Sequence, residues 1–332
     1  MYSRCYIAYI CNIRTKDIIE TNPDIDEIFV FERDEYRKLW KRSKVKCIKK
    51  LVSFWKEIKK RRIDITLDLS LGKEYAFLCW LIGIRERRGF NHKGRGRFLT
   101  HKVNFDGFND KPVAGYYLDL LEDQASDVRC QGKIKPVLVT TENDKAYIDD
   151  FLRKSGIKEQ DVIIGIAPGG GISFGDKDKE RRRWGAEKFS QLADRLVDKY
   201  GARIVLIWGP SEKDLVDKIA ALMNREALIA PKTTIRQMAA LCNRCKVVIC
   251  SEGGPLHIAS SQDVKTVSIF GPVDEKVYGP YPLGENNLVI TSDVDCRPCY
   301  RRFKLPQCDD RICLKNISVD DVFGAISERI KI

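Results

Sequence analysis

The residues best suited to chemistry stand in four short runs: Pro168-Gly169-Gly170-Gly171, Arg181-Arg182-Arg183-Trp184, Gly209-Pro210-Ser211-Glu212 and Ser251-Glu252-Gly253-Gly254-Pro255-Leu256-His257. Glycines lack the side chains that would keep a phosphate from backbone N–H groups. A guanidinium beside them can neutralise a diphosphate and stabilise it as a leaving group. A carboxylate at a strand end, as at Glu212, can hold ribose hydroxyls, and Glu252 with His257 adds an acid and an imidazole. Each run alone has a plainer reading: a tight turn, a surface basic cluster, a helix-dipole cap or a structural histidine.

The elements that must position these runs follow from hydrophobic patterning. In the C-terminal half, strands are expected at 162–167, 203–208, 227–230, 247–250 and 265–270. They alternate with helices at 186–200, 212–224, 235–245 and 255–261. Such alternation implies a parallel sheet with crossover helices, and ligands then bind beyond the carboxyl ends of the strands, where the four runs fall. Upstream, strands are expected at 5–11, 27–31 and 63–69, a helix at 75–84 and a mobile basic loop at 85–97. Residues 129–160 read as a polar separator, which divides the chain into domains 1–140 and 141–332. Residues 318–332 read as a final helix with Ser318 as N-cap.

A length of 332 residues suits two cores better than one. No apolar run is long enough to span a bilayer, and the first residues show no secretory signal. The twelve cysteines are therefore expected as free thiols in a reducing cytoplasm. The net charge of +12 is concentrated at 33–62, with fourteen Lys or Arg against three Asp or Glu. There Ile48, Leu51, Val52, Trp55 and Ile58 recur at helical spacing, with Lys49, Lys50, Lys56, Lys59 and Lys60 on the other faces. This helix is either a solvated face or a contact for an anionic surface such as acidic lipid headgroups or phosphorylated glycolipid. No nucleic-acid-binding motif accompanies it.

Taken together, the four loops resemble glycosyltransferase family 9, the ADP-heptose:lipopolysaccharide heptosyltransferases. The segments that carry the resemblance are Pro168-Gly169-Gly170, Arg182-Arg183-Trp184, Trp208-Gly209-Pro210-Ser211-Glu212, Pro231-Lys232-Thr233-Thr234, Glu252-Gly253-Gly254-Pro255-Leu256-His257-Ile258-Ala259 and Phe270-Gly271-Pro272. Asn22-Pro23-Asp24-Ile25-Asp26-Glu27, Asp68-Leu69-Ser70-Leu71-Gly72 and Arg88-Gly89-Phe90 extend it upstream. The resemblance implies an α/β protein of GT-B type, with two Rossmann-like, doubly wound domains facing a cleft. It also implies inverting, metal-independent transfer of a sugar, typically heptose, from a nucleotide diphosphate to the lipopolysaccharide inner core. That reaction belongs to the cytoplasmic face of the inner membrane. By the same resemblance Gly169 and Gly170 line the diphosphate, and Arg182 replaces the family's phosphate-binding Lys. Glu212 holds ribose, Thr233 lies near the base, and Glu252, Gly253, Gly254 and His257 surround sugar and diphosphate.

Two features depart from the family. Its first strand and the following Gly-Asp turn, whose Asp is the family's general base, have no counterpart before residue 5. The N-terminal domain is therefore expected to be incomplete, and Gly175-Asp176, the chain's one Gly-Asp pair, falls in the other domain. Asp68 is the substitute candidate for the base; a nucleotide-sugar-binding protein without turnover is the alternative, and a nucleic-acid binder a third reading. Separately, Cys296-x2-Cys299-x8-Cys308-x4-Cys313 suits a structural zinc site, with disulfides or free packed thiols as the other states.

Overall fold

A computed structural model of the chain describes residues 5–121, 135–171 and 180–330. The Gly175-Asp176 pair lies outside these residues. The chain divides into two compact units, one formed by residues 1–16 and 25–132, the other by 17–24 and 133–332.

In order, the first unit's elements are β1 (Ala8–Cys11), α1 (Ile13–Ile19), which runs on into the second unit's segment, β2 (Glu27–Val30), α2 (Arg33–Arg42), α3 (Lys44–Lys60), β3 (Ile65–Asp68), α4 (Glu74–Leu81), β4 (Glu86–His92), β5 (His101–Phe105) and α5 (Val113–Asp119). All its strand pairs are parallel, but they form two sheets, β1-β2 and β3-β4-β5. A doubly wound sheet has the order 3-2-1-4-5-6. Taking β1 to β5 as strands 2 to 6 of that order leaves 3-2 and 4-5-6, and strand 1, which would join them, is absent among the described residues. The two sheets accordingly carry separate small cores. One gathers Trp55, Ile58, Cys79 and Ile84, the other Phe90, Phe105, Tyr116 and Leu120.

The basic stretch 85–97, expected as a mobile loop, is instead largely strand β4, at the centre of its sheet. Its charges obscured the pattern because they are satisfied locally. Arg87 donates to the Phe98 carbonyl at 2.6 Å, and buried Arg88 pairs with Glu86 at 2.5 Å. Gly89 packs closely on β3, where a Cβ would stand 3.0 Å from the Asp68 carbonyl oxygen, tighter than an ordinary contact.

The second unit contains α6 (Glu142–Lys154), β6 (Ile163–Ala167), α7 (Ala186–Tyr200), β7 (Arg203–Leu206), α8 (Lys213–Leu222), β8 (Ala227–Ile229), α9 (Ile235–Arg244), β9 (Val247–Ser251), α10 (Gly254–Ser261), β10 (Lys265–Ile269), α11 (Glu275–Tyr278), β11 (Asn287–Ile290), α12 (Ile312–Lys315) and α13 (Val319–Arg329). Its six strands are parallel in the order β11-β10-β9-β6-β7-β8, a complete doubly wound arrangement. Successive residues of each strand alternate between two cores. Ile164, Ile166, Ile204, Leu206, Val247 and Ile249 face α7, α8 and α13, while Ile163, Val205, Val248 and Cys250 face α6, α9 and α10. Burial on both faces explains the continuous apolar runs of the sequence.

The supposed polar separator at 129–160 includes α6, whose Ile148 and Leu152 are buried in the second of these cores. Its polarity belongs to the solvent face and to a capping box, in which the Asp144 N–H donates to Thr141 Oγ1 and the Thr141 N–H donates to Asp144 Oδ2. Arg236 Nε reaches the same carboxylate at 3.2 Å, and Arg236 also pairs with Asp17 and Glu20, which ties the 17–24 segment to this unit. Ser318 caps α13 with a similar box to Asp321.

Burial pushes the Asp144 carboxyl up, but its bonds from Thr141 and Arg236 outweigh this and hold it below the ordinary value. A carboxyl depressed in the folded state contributes stability that is present above about pH 4 and is lost as pH falls through its folded value. Asp144→Asn is therefore expected to cost about 1–3 kcal/mol at neutral pH and to flatten the acid limb of the stability profile. Urea denaturation of both proteins at neutral and acid pH measures this.

Candidate functional site

Strand order in the second unit reverses between β6 and β9, and a doubly wound sheet opens a crevice at that switch point. Two glycine turns leave it there. Gly170 and Gly171 follow β6 at φ +74° and +84°, and Gly253 follows β9 at φ +148°. These conformations are open to glycine and strained for other residues. The turns also touch: a Cβ on Gly253 would overlap the Gly170 carbonyl, and a Cβ on Gly170 would stand 2.7 Å from the Glu252 carbonyl oxygen. The Ser251 hydroxyl donates to the Pro168 carbonyl at 2.8 Å and closes the contact.

The arginine run reaches these turns and is not a surface cluster. Arg182 and Arg183 are both buried. Arg182 donates through Nε to Glu252 Oε2 at 2.7 Å and through Nη2 to the Glu252 carbonyl at 3.3 Å. Burial pushes the Glu252 carboxyl up, and the guanidinium beside it opposes that shift. Arg183 donates through Nε to the Gly169 carbonyl at 3.3 Å and through Nη1 to Glu180 at 2.6 Å. Its Nη2 is buried with no hydrogen-bond partner among the described residues and stands 4.0 Å from Glu212 Oε1. Trp184 anchors the run in the core, where its indole N–H donates to the Ile317 carbonyl at 2.9 Å.

Glu212 occupies the N-cap position of α8 but makes no side-chain cap bond. Its buried carboxylate accepts instead from the N–H groups of Gly171 and Gly209, each at 2.8 Å. Gly169 is a glycine because the carboxylate lies against it, leaving no space for a Cβ. The Glu212 carboxylate thus ties the β6 turn to the β7 turn.

Gly169, Gly170, Arg182, Glu212, Glu252 and Gly253 therefore meet at one edge of the sheet. Gly254 opens α10, and His257 stands on that helix, exposed at its surface. Desolvation by the atoms packed around His257 lowers its imidazole below the ordinary histidine value. Thr233 is half-buried between β8 and α9, next to the N-cap Thr234, and no hydrogen bond among the described residues joins it to the cluster. Sequence reasoning missed Arg183 as a separate element of the site. Its neighbour to Arg182 and its place before Trp184 were the available signal.

In the first unit, Asp68 is buried at the end of β3, and its Oδ1 accepts from the Ser70 N–H at 2.9 Å. Burial raises its carboxyl above the ordinary value. A cavity of about 320 Å³ lies at the ends of β2, β3 and β4, lined by Arg33, Ser70, Gly72, Glu74, Tyr75 and Arg95. Glu74's own N–H and that of Lys73, followed by the charges of Arg33 and Arg95, hold its carboxyl low despite partial burial. Neither arginine was singled out in the sequence, because both sit inside longer basic stretches.

Among the described residues no group of three or more His, Cys, Asp or Glu is arranged to hold a metal ion. Cys296 is exposed, Cys299 and Cys308 are half-buried and Cys313 is buried, all as free thiols. Burial, then the neighbouring thiols, raises the pKa of Cys299 and Cys313.

With this geometry in view, the family model of glycosyltransferase family 9 (heptosyltransferase) matches residues 51–308. The chain belongs to that family. Among relatives, lipooligosaccharide heptosyltransferase 2 of Campylobacter jejuni is 26% identical over 178 residues, 52% of this chain and 52% of the relative. The match thus spans about half the length of that relative. Among solved structures, the glycosyl transferase family 9 protein of Veillonella parvula superposes with a TM-score of 0.79 at 24% identity, covering 98% of this chain and 88% of the other. E. coli ADP-heptose LPS heptosyltransferase II gives 0.74 at 19% identity, covering 99% and 91%. The fold is the GT-B type of these family 9 proteins, and among the described residues the N-terminal unit holds its strands in two sheets, β1-β2 and β3-β4-β5.

The abutting turns give a test of local structure. Gly253→Ala is expected to destabilise the family 9 chain by about 1–3 kcal/mol from backbone strain alone, with the overlap on Gly170 added. Gly254→Ala, where nothing lies within 4 Å of the new Cβ, is expected to change stability by under about 0.5 kcal/mol. Chemical denaturation of the pair reads the difference.

Proposed function

We propose that this chain is an inverting, metal-independent glycosyltransferase that moves heptose from ADP-heptose to the lipopolysaccharide inner core. The observation that carries this reading is the pair of buried guanidinia, Arg182 and Arg183, beside two abutting glycine turns at the switch point of a complete doubly wound sheet. Family membership and the names of the relatives support the sugar and the acceptor. Residues 141–332 form the nucleotide-sugar domain and residues 1–140 the acceptor-side domain. The protein works as a peripheral protein at the cytoplasmic face of the inner membrane; no helix among its described residues is long and apolar enough to cross a membrane.

In the mechanism that follows, the diphosphate lies over Gly169, Gly170, Gly253 and Gly254, where backbone N–H groups and Arg183 Nη2, which makes no hydrogen bond to a described residue, meet its charge. Arg182 stabilises the departing ADP, Glu212 holds ribose hydroxyls, Thr233 lies near the base, and Glu252 and His257 face the sugar. Asp68 is the candidate base for the acceptor hydroxyl, its burial raising the carboxyl in the direction proton abstraction favours. The cavity with Arg33 and Arg95 takes an anionic group of the acceptor.

Transfer from ADP-heptose to heptose-deficient core acceptor tests the assignment. Arg183→Gln is expected to raise donor KM roughly tenfold or more, the worth of a charge-assisted hydrogen bond. Arg182→Ala also leaves Glu252 buried and unpaired, so that variant should lose both activity and about 3–5 kcal/mol of stability. Wild-type kinetics in both would remove the reading. Asp68→Asn is expected to lower kcat about a hundredfold with donor KM held; unchanged kcat would place the base elsewhere.

A further inference from the structure

We propose that α2 and α3 form a docking face for an anionic lipid bilayer, with an aliphatic stripe and Trp40 entering the headgroup boundary between unpaired lysines. The core-facing side of α3 is set by buried Cys47, Trp55 and Ile58. At about 100° per residue, Val45, Ile48 and Val52 fall together on one flank outside that side, and they are 64%, 49% and 46% exposed. Trp40, at the end of α2, is 48% exposed, and the Lys44 ammonium stands 5.9 Å from its ring centroid. Lys49, Lys56 and Lys59 border the stripe and form no ion pair with a described residue. Acidic residues nearby are engaged elsewhere: Glu35 pairs with Lys50, Glu57 with Lys60, Glu27 with Arg61 and Asp34 with Arg37.

Charge complementarity and apolar exposure select the partner together. What sets this face apart from scattered exposed apolar residues is that its aliphatic side chains and Trp40 cluster among lysines, and a phosphodiester backbone would satisfy the lysines while leaving that stripe exposed. An anionic leaflet meets both requirements, with headgroups for the cations and the acyl boundary for the stripe. Arg33, the first residue of α2, lines the first unit's cavity. The face that meets the leaflet therefore begins at the cavity assigned to the acceptor, a connection that rests on the transferase reading.

The full chain is tested by co-sedimentation with phosphatidylcholine vesicles, with and without phosphatidylglycerol. Binding that needs phosphatidylglycerol and weakens with salt is expected. The triple variant Lys49→Glu, Lys56→Glu, Lys59→Glu should lose roughly fivefold per cation or more, about a hundredfold in all. Ile48→Ser with Val52→Ser should lose roughly tenfold while keeping the salt dependence, and Trp40 emission should shift to the blue on binding, with Trp40→Phe as its reference. Equal binding to both vesicles, wild-type binding by the triple variant, or tighter binding to nucleic acid at the same ionic strength would overturn the proposal. Turnover on a delipidated, water-soluble acceptor should be unchanged in the triple variant; its loss there would make the lysines part of the reaction and overturn docking. Absence of turnover in every form, with anionic-vesicle binding intact, would sink the transferase reading and leave this face standing.

Discussion

Backbone meeting backbone at the Gly170–Gly253 contact is the constraint on which the C-terminal site depends. Parallel strands β6 and β9 are direct neighbours, so the turns that leave them are forced into the same space. Residues without a Cβ allow the approach, and Gly170 and Gly253 both take positive φ values there. Everything around the contact braces it. The Ser251 hydroxyl, the Arg182–Glu252 pair and the Glu212 carboxylate each cross from one loop to another. Replacing any of these with a neutral, shorter side chain would leave buried polar atoms unmatched.

Much of this was legible in the amino-acid sequence, for a physical reason. Strands buried on both faces produce apolar runs that stand out against the amphipathic helices between them, so β6 to β10 and α7 to α10 could be read within a few residues. The glycine turns were legible because their composition is unusual at strand ends. Strand β4 was not, since its arginines satisfy their charges on nearby carbonyl and carboxylate groups and no alternation survives. Helix α6 was hidden by a polar outer face over its buried Ile148 and Leu152. The pairing of Arg182 with Glu252, seventy residues apart, and the turn-bracing role of Glu212 depend on tertiary proximity and leave no local mark.

In the first unit the described strands of a doubly wound order fall into two sheets, with no described strand between them. These strands run parallel in that order, the two sheets share no strand pairing among the described residues, and each has its own small core. Near this discontinuity α3 buries the Trp55 indole N–H with no partner among the described residues. A buried donor left unpaired is costly. The contrast with the second unit, whose six strands are continuous, places the complete framework under the glycine turns and the interrupted one under Asp68 and the Arg33–Arg95 cavity.

The Arg182–Glu252 pair has a consequence for selectivity. The Arg182 guanidinium at the turns carries its own counter-ion in Glu252, so an anion arriving there competes with a carboxylate. A newcomer must compete with a carboxylate that is held in place by burial and by the chain itself. A weakly held monoanion gains little from that exchange. On the proposed reading, a species that also engages neighbouring backbone amides and the second guanidinium, at Arg183, recovers what the displaced carboxylate gave, and selection then rests on multidentate fit instead of on charge alone.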